Sequence, residues 1–331
     1  MKKTFLLLFG MAAVIISCSK SKNETIAPAV PKDSSIVISG YVPGYRIGTL
    51  DTSNYGCVNR VNYFSLIPDA TGAFQLLSAD SSNLVTLKNQ IKADQQLFVT
   101  LGGASAGGNL TTMAKDTAKR SAYVNAVVAF CQKWSVQGVD MDWEIFNGIQ
   151  PDSALFGQLH RQLYGALHPL GYLLTTAIGV APTSGATSKY LLAKNVYASV
   201  DAINVMAYGP NAMDTYGNQA TMLQTQNYLS MFVANGVPAG KLILGVPFYL
   251  NSKTATPTAQ LYSWLLTQVP NLDSAANTYQ TYGYNGIKLM QDKVKYLRHN
   301  GYGGIVAWEM GQDVVATSPY SLIRTIKIAN Q

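Results

Sequence analysis

Residues 137–144 read Gln137-Gly138-Val139-Asp140-Met141-Asp142-Trp143-Glu144. Extended backbone sends alternate side chains to opposite faces. Asp140, Asp142 and Glu144 therefore project one way, and Val139, Met141 and Trp143 the other. Helical periods at 118–134 and 152–168 flank the segment and mark it as a strand between two helices. A solvated edge strand could also carry a carboxylate face. Between two apolar helices, however, that face turns toward the inside of a sheet, where three acids repel one another and lose solvation. Such a row costs stability and serves no packing purpose. It does raise at least one pKa, which keeps an acid protonated near neutral pH. Glu144 comes last, at the C-terminal end of its strand, where barrel active sites lie.

Working outward, β-rich runs recur at 36–42, 60–66, 96–101, 138–143, 172–180, 202–207, 241–249 and 303–308. Most are continuously apolar, as in strands buried on both faces of a parallel sheet. Helical periods at 82–93, 118–134, 152–168, 219–235 and 287–300 lie between them. This alternation predicts an α/β protein, a single (β/α)8 TIM barrel over 36–331. Little β-rich sequence lies between Asn251 and Tyr302, so no large insertion domain is expected. A doubly wound sheet fits less well, because no Gly-rich phosphate turn opens the first βα unit.

The chain has 331 residues, 24 Lys and Arg against 17 Asp and Glu, and a formal charge of +7. Hydrophobic residues make up 48%, enough for a large core, which excludes a disordered chain. Much of the basic excess is N-terminal: Lys2, Lys3, Lys20, Lys22 and Lys32 precede residue 36, against Glu24 and Asp33. No Lys/Arg cluster follows, so no nucleic-acid partner is expected.

Lys2 and Lys3 precede an apolar run at 5–16, shorter than the roughly 20 residues of a spanning helix but suited to a signal peptide. It ends in Ile15-Ile16-Ser17-Cys18, which resembles a bacterial lipobox. The expectation is a lipoprotein signal peptide over 1–17, lipidation at Cys18 and a flexible tether over 18–35. That places the protein in the cell envelope as a monomer, lipid-anchored in the outer membrane on the periplasmic side or at the cell surface. The lipid anchor is its only expected contact with a membrane. Cys57 and Cys131 read as buried small hydrophobes. His160, His168 and His299 lack ligand spacing, so no metal site is expected, and His160 and His168 read as helix-surface residues. The Gly-rich run at 102–108 has no following Lys-Ser/Thr and reads as a substrate loop. Asp140-Met141-Asp142 could mimic the metal-binding Asp-x-Asp of nucleotide-sugar transferases, which leaves Glu144 without a role.

Residues 138–144 resemble the signature of glycoside hydrolase family 18, in which chitinases typically show Asp-Gly-Val-Asp-x-Asp-Trp-Glu. Gln137 stands where the family usually has Asp. Other segments resemble family motifs in the same order along the chain. They are Gly40-Tyr41, Val61-Asn62-Tyr63-Phe64, Thr100-Leu101-Gly102-Gly103, Met206-Ala207-Tyr208, Gly245-Val246-Pro247-Phe248-Tyr249 and Gly304 to Trp308. Thr100 replaces a Ser, and Gly209 stands where Asp or Asn is common.

The resemblance implies a glycosidase that cleaves β-1,4-linked N-acetylglucosamine and needs no cofactor. Glu144 would be the general acid, then the base for water. Asp142 would hydrogen-bond the substrate's acetamido N–H and orient its carbonyl oxygen toward the anomeric carbon, a substrate-assisted retaining route. Asp140 would share a proton with Asp142, and Tyr208 would donate to the acetamido oxygen. Trp308 would stack on the sugar, with Tyr41, Met206, Gly102 and Gly103 as further substrate-binding residues. Chitin oligosaccharides are the leading substrate. An endo-β-N-acetylglucosaminidase acting on the chitobiose core of N-glycans is an alternative. A lectin-like barrel without turnover is another, and retention of Glu144, Asp142 and Tyr208 argues against it.

Overall fold

The strand that carries the acids is β4 (Gly138–Asp142), and every residue in it is buried. The computed structural model describes residues 34–74, 76–144, 152–180, 187–209, 212–214 and 217–331. The signal peptide, Cys18 and nearly all of the tether lie outside these residues. Seven more strands join β4: β1 (Val37–Pro43), β2 (Arg60–Leu66), β3 (Gln96–Gly102), β5 (Leu173–Gly179), β6 (Ala202–Met206), β7 (Leu242–Pro247) and β12 (Gly304–Trp308). They close in the order β1-β12-β7-β6-β5-β4-β3-β2, each pair parallel. Closure removes the sheet edges and buries both faces of every strand. The apolar runs in the sequence follow from that burial.

Helices α1 (Ser78–Gln90), α2 (Gly107–Lys115), α3 (Thr117–Trp134), α4 (Ser153–Leu167), α5 (Thr187–Val196), α6 (Met222–Ala234), α8 (Ile287–His299) and α9 (Leu322–Ala329) surround the barrel. Val139 and Met141 point out into this shell while Asp140 and Asp142 point in. On α4, Phe156, Leu159, Leu163 and Leu167 form the buried stripe, and Phe156 packs on Trp143 with ring centroids 5.7 Å apart.

His160 corrects the sequence reading. It is fully buried rather than on the helix surface. One turn after Phe156 it shares the inward stripe, with Nδ1 2.8 Å from the Phe156 carbonyl and Nε2 3.0 Å from Thr176 Oγ1. Burial lowers its pKa to about 4. His168 is exposed and stacks on Tyr164. Cys57 and Cys131 are buried free thiols.

Two elements depart from the sequence pattern. The Gly-rich run expected as a loop becomes helical at Gly107, where Leu110, Met113 and Ala114 bury the inner face of α2. The stretch after β7 also contains more β-structure than its composition indicates. Strands β8 (Tyr249–Asn251), β9 (Ala259–Leu261), β10 (Thr278–Tyr279) and β11 (Tyr282–Gly283), with helix α7 (Tyr262–Gln268), form a small antiparallel sheet ordered β10-β11-β8-β9. Strands of two or three residues are too short to show an alternating pattern. The expectation of no large insertion domain holds for size; the element itself is a compact α+β addition at the C-terminal end of β7.

Candidate active site

The lower barrel interior is unusually polar, with Ser39, Asn62, Thr100, Asp140, Thr175 and Asn204 all buried. Beside them Tyr41, Ala202, Ile243 and Val306 form an apolar cluster, joined by Phe64 and Trp308. Trp308 is gripped edge-on by Phe64 at 4.8 Å and Tyr41 at 5.4 Å. Behind it, Arg46 Nε donates to Glu309 at 2.9 Å, tying the loop after β1 to the end of β12.

Asp140 is fully buried and accepts from three neutral donors. Tyr41 Oη gives to Oδ2 at 2.7 Å, while Thr175 Oγ1 at 2.6 Å and Asn204 Nδ2 at 2.9 Å give to Oδ1. With both oxygens occupied by O–H and N–H donors, Asp140 is a poor metal ligand, which argues against the transferase reading. Burial raises its pKa, and hydrogen bonds from Thr175 and Tyr41, the Arg60 charge and the Asn204 amide pull it back.

Asp142 differs. Its Oδ1 is buried and has no hydrogen-bond partner among the described residues. Burial, then the charges of Glu144 and Asp140, push its pKa well above the carboxylate range. Glu144 is partly exposed; burial raises its pKa and the Lys189 ammonium on α5 lowers it. Tyr208 is kept protonated by burial and by the charges of Tyr249, Asp142, Glu144 and Asp140. Its hydroxyl is therefore a donor.

Tyr41, Asp142, Glu144, Met206, Tyr208 and Trp308 line one cavity of about 190 Å³. Asp140 lies beneath it. Trp308 also borders a second cavity of about 270 Å³, formed with Tyr249, Ala259, Gln260, Leu261 and Gln312 beside edge strand β9. Gly102 and Gly103 do not line the cavity; the structure places them behind it. A Cβ on Gly102 would sit 2.2 Å from the Asp142 carbonyl oxygen, and Gly103 N donates to that oxygen at 2.7 Å. Gly102 thus lets β3 close against the strand that carries the acids, whereas a Cβ on Gly103 would meet the Phe64 ring at 2.8 Å.

The two sequence departures have local explanations. Gln137 lies at the opposite end of β4 from Glu144, where its Oε1 accepts from Leu97 N at 2.8 Å and its Nε2 donates to the Ser135 carbonyl at 3.3 Å. Gly209 has a φ of 82°, and its amide donates to Gln219 Oε1 at 3.2 Å. That backbone conformation favours glycine.

Thr175, Asn204 and Lys189 were absent from the sequence-based candidates. Inward alternation along β5 and β6 was the available signal for the first two. Nothing local marks Lys189, which lies 45 residues beyond Glu144.

The profile described as "Glycosyl hydrolases family 18" matches residues 40–313. Chitinase A1 of Niallia circulans is 25% identical over 304 residues, covering 71% of this chain and 43% of its own length. Endochitinase 1 of Metarhizium robertsii is 25% identical, with coverages of 88% and 73%. The chain thus spans less than half of the first relative. Among solved structures, the GH18 chitinase ChiB of Flavobacterium johnsoniae superposes with a TM-score of 0.74 at 21% identity, covering 90% of this chain and 94% of that one. A chitinase from Cycas revoluta in complex with (GlcNAc)3 gives 0.76 at 19% identity, with coverages of 88% and 99%. These structural likenesses establish the barrel fold.

Proposed function

Given that the chain belongs to glycosyl hydrolase family 18, we propose that it hydrolyses β-1,4-linked N-acetylglucosamine chains by a substrate-assisted retaining reaction. One observation carries this reading: a row of three carboxylates rises from a buried, fully bonded Asp140 to a partly exposed Glu144 at a cavity bounded by Trp308. The named relatives are chitinases, and one neighbour is in complex with (GlcNAc)3. Both support chitin oligosaccharide as substrate.

In this reading Glu144, whose pKa burial raises, gives its proton to the glycosidic oxygen as that bond breaks. The acetamido carbonyl oxygen of the sugar on the Trp308 side attacks the anomeric carbon. The ring so formed holds the positive charge until water attacks the same carbon and returns a proton to Glu144. Asp142 Oδ1, buried and without a hydrogen-bond partner among the described residues, accepts the acetamido N–H and aims the carbonyl. Tyr208 donates to the acetamido oxygen.

The test compares fully acetylated with fully deacetylated glucosamine oligosaccharides, beside a high-mannose glycopeptide. Turnover of the acetylated chains alone supports the proposal. Equal rates on both chains refute the substrate-assisted route, and cleavage of the glycopeptide alone moves the substrate to N-glycans.

The N-terminal sequence supports attachment of this enzyme to an envelope membrane through lipidated Cys18. Stable anchoring takes more than one acyl chain. Cys18→Ala should therefore shift the protein from the detergent phase to the aqueous phase; unchanged partitioning sinks the anchor.

A further inference from the structure

The two ends of the barrel differ in charge. All eight strands run the same way, so each helix returns to the end where the strands begin, and Glu144 lies at the other. Lys88 of α1, Lys133 of α3, Lys194 of α5, Arg298 of α8 and Lys327 of α9 each sit in the last turn of their helix. Lys92, between α1 and β3, and Lys241, just before β7, join them. Each position is ordinary by itself, because the macrodipole favours a cation near a helix C-terminus. Together they give one face a single sign. Among the described residues, Asp94 and Asp201 are the acids at this end. Asp80, Asp116 and Asp152 stand in or just before the first turns of α1, α3 and α4, toward the mouth.

The contacts of these side chains leave their charge in place. Lys88 Nζ donates to the Trp134 carbonyl at 2.8 Å and Lys327 Nζ to the Gly56 carbonyl at 2.8 Å. Lys241 Nζ donates to the Tyr197 and Val200 carbonyls at 2.7 and 2.6 Å. A carbonyl positions an ammonium group without neutralising it. Lys92, Lys133, Lys194 and Lys327 are exposed. Lys92 and Lys327 also wall a cavity of about 340 Å³ beside Ser35, with Asp94 as the acid in its lining.

The chain enters the barrel through the same face. Arg298 Nε donates to the Ser34 carbonyl at 3.3 Å, and Ile36 N to Asn330 Oδ1 at 2.9 Å, which pins the start of β1 to α8 and to the residue after α9. The 15 residues 19–33 separate that point from Cys18. A chain of that length reaches at most about 50 Å. A lipid on Cys18 therefore tethers the barrel by its basic face.

We propose that this end of the barrel is a docking face for an anionic phospholipid bilayer, which holds the protein with Glu144 and Trp308 turned away from the membrane. It adds an electrostatic contact to the lipid anchor, the only membrane contact expected from the sequence. The inference goes beyond the glycosidase reading; it takes its orientation from the Cys18 anchor but not its chemistry. The cations are scattered from residue 88 to residue 327, and barrel closure collects them. Their attraction to anionic headgroups acts within a screening length of about 8 Å at physiological salt and about 3 Å at 1 M.

The experiment is lysine acetylation of the full chain, read by mass spectrometry, on phosphatidylcholine vesicles and on vesicles that also contain phosphatidylglycerol. Each lysine at an anionic surface favours contact by about fivefold, so Lys92, Lys133, Lys194 and Lys327 should react at least about threefold more slowly on the anionic vesicles than on the neutral ones. Lys253 and Lys288, toward the mouth, should react equally on both. Raising NaCl to about 1 M should abolish the difference. In a Lys92→Gln, Lys133→Gln, Lys194→Gln triple variant with a native melting temperature, the slowing at Lys88 and Lys327 should shrink. Slowing that is absent, equal at both ends or equal on neutral vesicles overturns the proposal, as does a folded variant that keeps full protection. If the variant does not fold, the native comparison decides. Stronger protection by a DNA duplex than by anionic vesicles also overturns the membrane assignment. Unchanged partitioning of Cys18→Ala defeats the anchor alone, and acetylation with added vesicles still decides this inference.

Discussion

Glu144 and Lys189 act on the same proton in opposite directions. Glu144→Gln keeps the size and hydrogen bonding of the side chain but removes the proton delivered to the leaving oxygen. Positioned acid catalysis is worth about 10²–10⁴-fold, and kcat on oligosaccharides should fall by at least that order. Binding should persist, because Trp308, Tyr208 and Asp142 remain in the cavity. The melting temperature at pH 7 should hold or rise, since a carboxylate whose ionised form is penalised by burial has been neutralised. Near-native hydrolysis would remove Glu144 as the acid. Lys189 lowers the Glu144 pKa without lining the cavity. Lys189→Met should raise that pKa and keep the acid protonated to higher pH. The basic limb of the kcat profile then moves upward; a limb that stays or moves down contradicts the assignment.

At the scale of single elements, the junction of β3 with α2 contains glycines of opposite character. Gly102 has a φ of 122°, and an added Cβ would lie 2.2 Å from the Asp142 carbonyl oxygen. Gly102→Ala should cost about 1–3 kcal/mol from backbone strain alone, and more if β3 must move from β4. Gly108, six residues on, is helical, and its added Cβ meets nothing within 4 Å. Gly108→Ala should be neutral or stabilising by up to about 1 kcal/mol. Thermal melts of both variants check the pair, and equal effects would contradict this account of β3.

For the whole molecule, the β6–α6 connection, the small sheet and α8 meet at Lys293, which is fully buried. Its Nζ donates to the Ala220 carbonyl at 2.6 Å and to Asn285 Oδ1 at 2.5 Å. Two acceptors suit the two N–H groups of a neutral amine. Burial lowers its pKa from 10.5 to about 7. Between these values the unfolded chain binds a proton that the folded chain does not, so stability rises with pH. Below pH 7 the penalty is fully present. Denaturant midpoints measured from pH 7 to 9 should increase in the native protein and flatten in Lys293→Gln. The window stops short of pH 10, where buried tyrosines with raised pKa values begin to act in the opposite sense. A flat native profile would rule out this titration.

The order of barrel elements was legible in the sequence because burial on both faces demands continuous apolar strands. The shared face of Asp140, Asp142 and Glu144 was legible because the strand period is two, whatever surrounds it. Short strands β8 to β11 escaped, since two or three residues carry no period. His160 was misassigned although its position one turn after Phe156 marked the buried stripe, because a polar ring among apolar neighbours reads as surface until Thr176 is seen to receive it. The sequence by itself determined the barrel and the carboxylate row, both products of local periodicity. Only the tertiary structure decided which acid is bonded and which is bare. The donors to Asp140 come from residues 35, 64 and 99 positions away, and barrel closure is what brings them to one carboxylate.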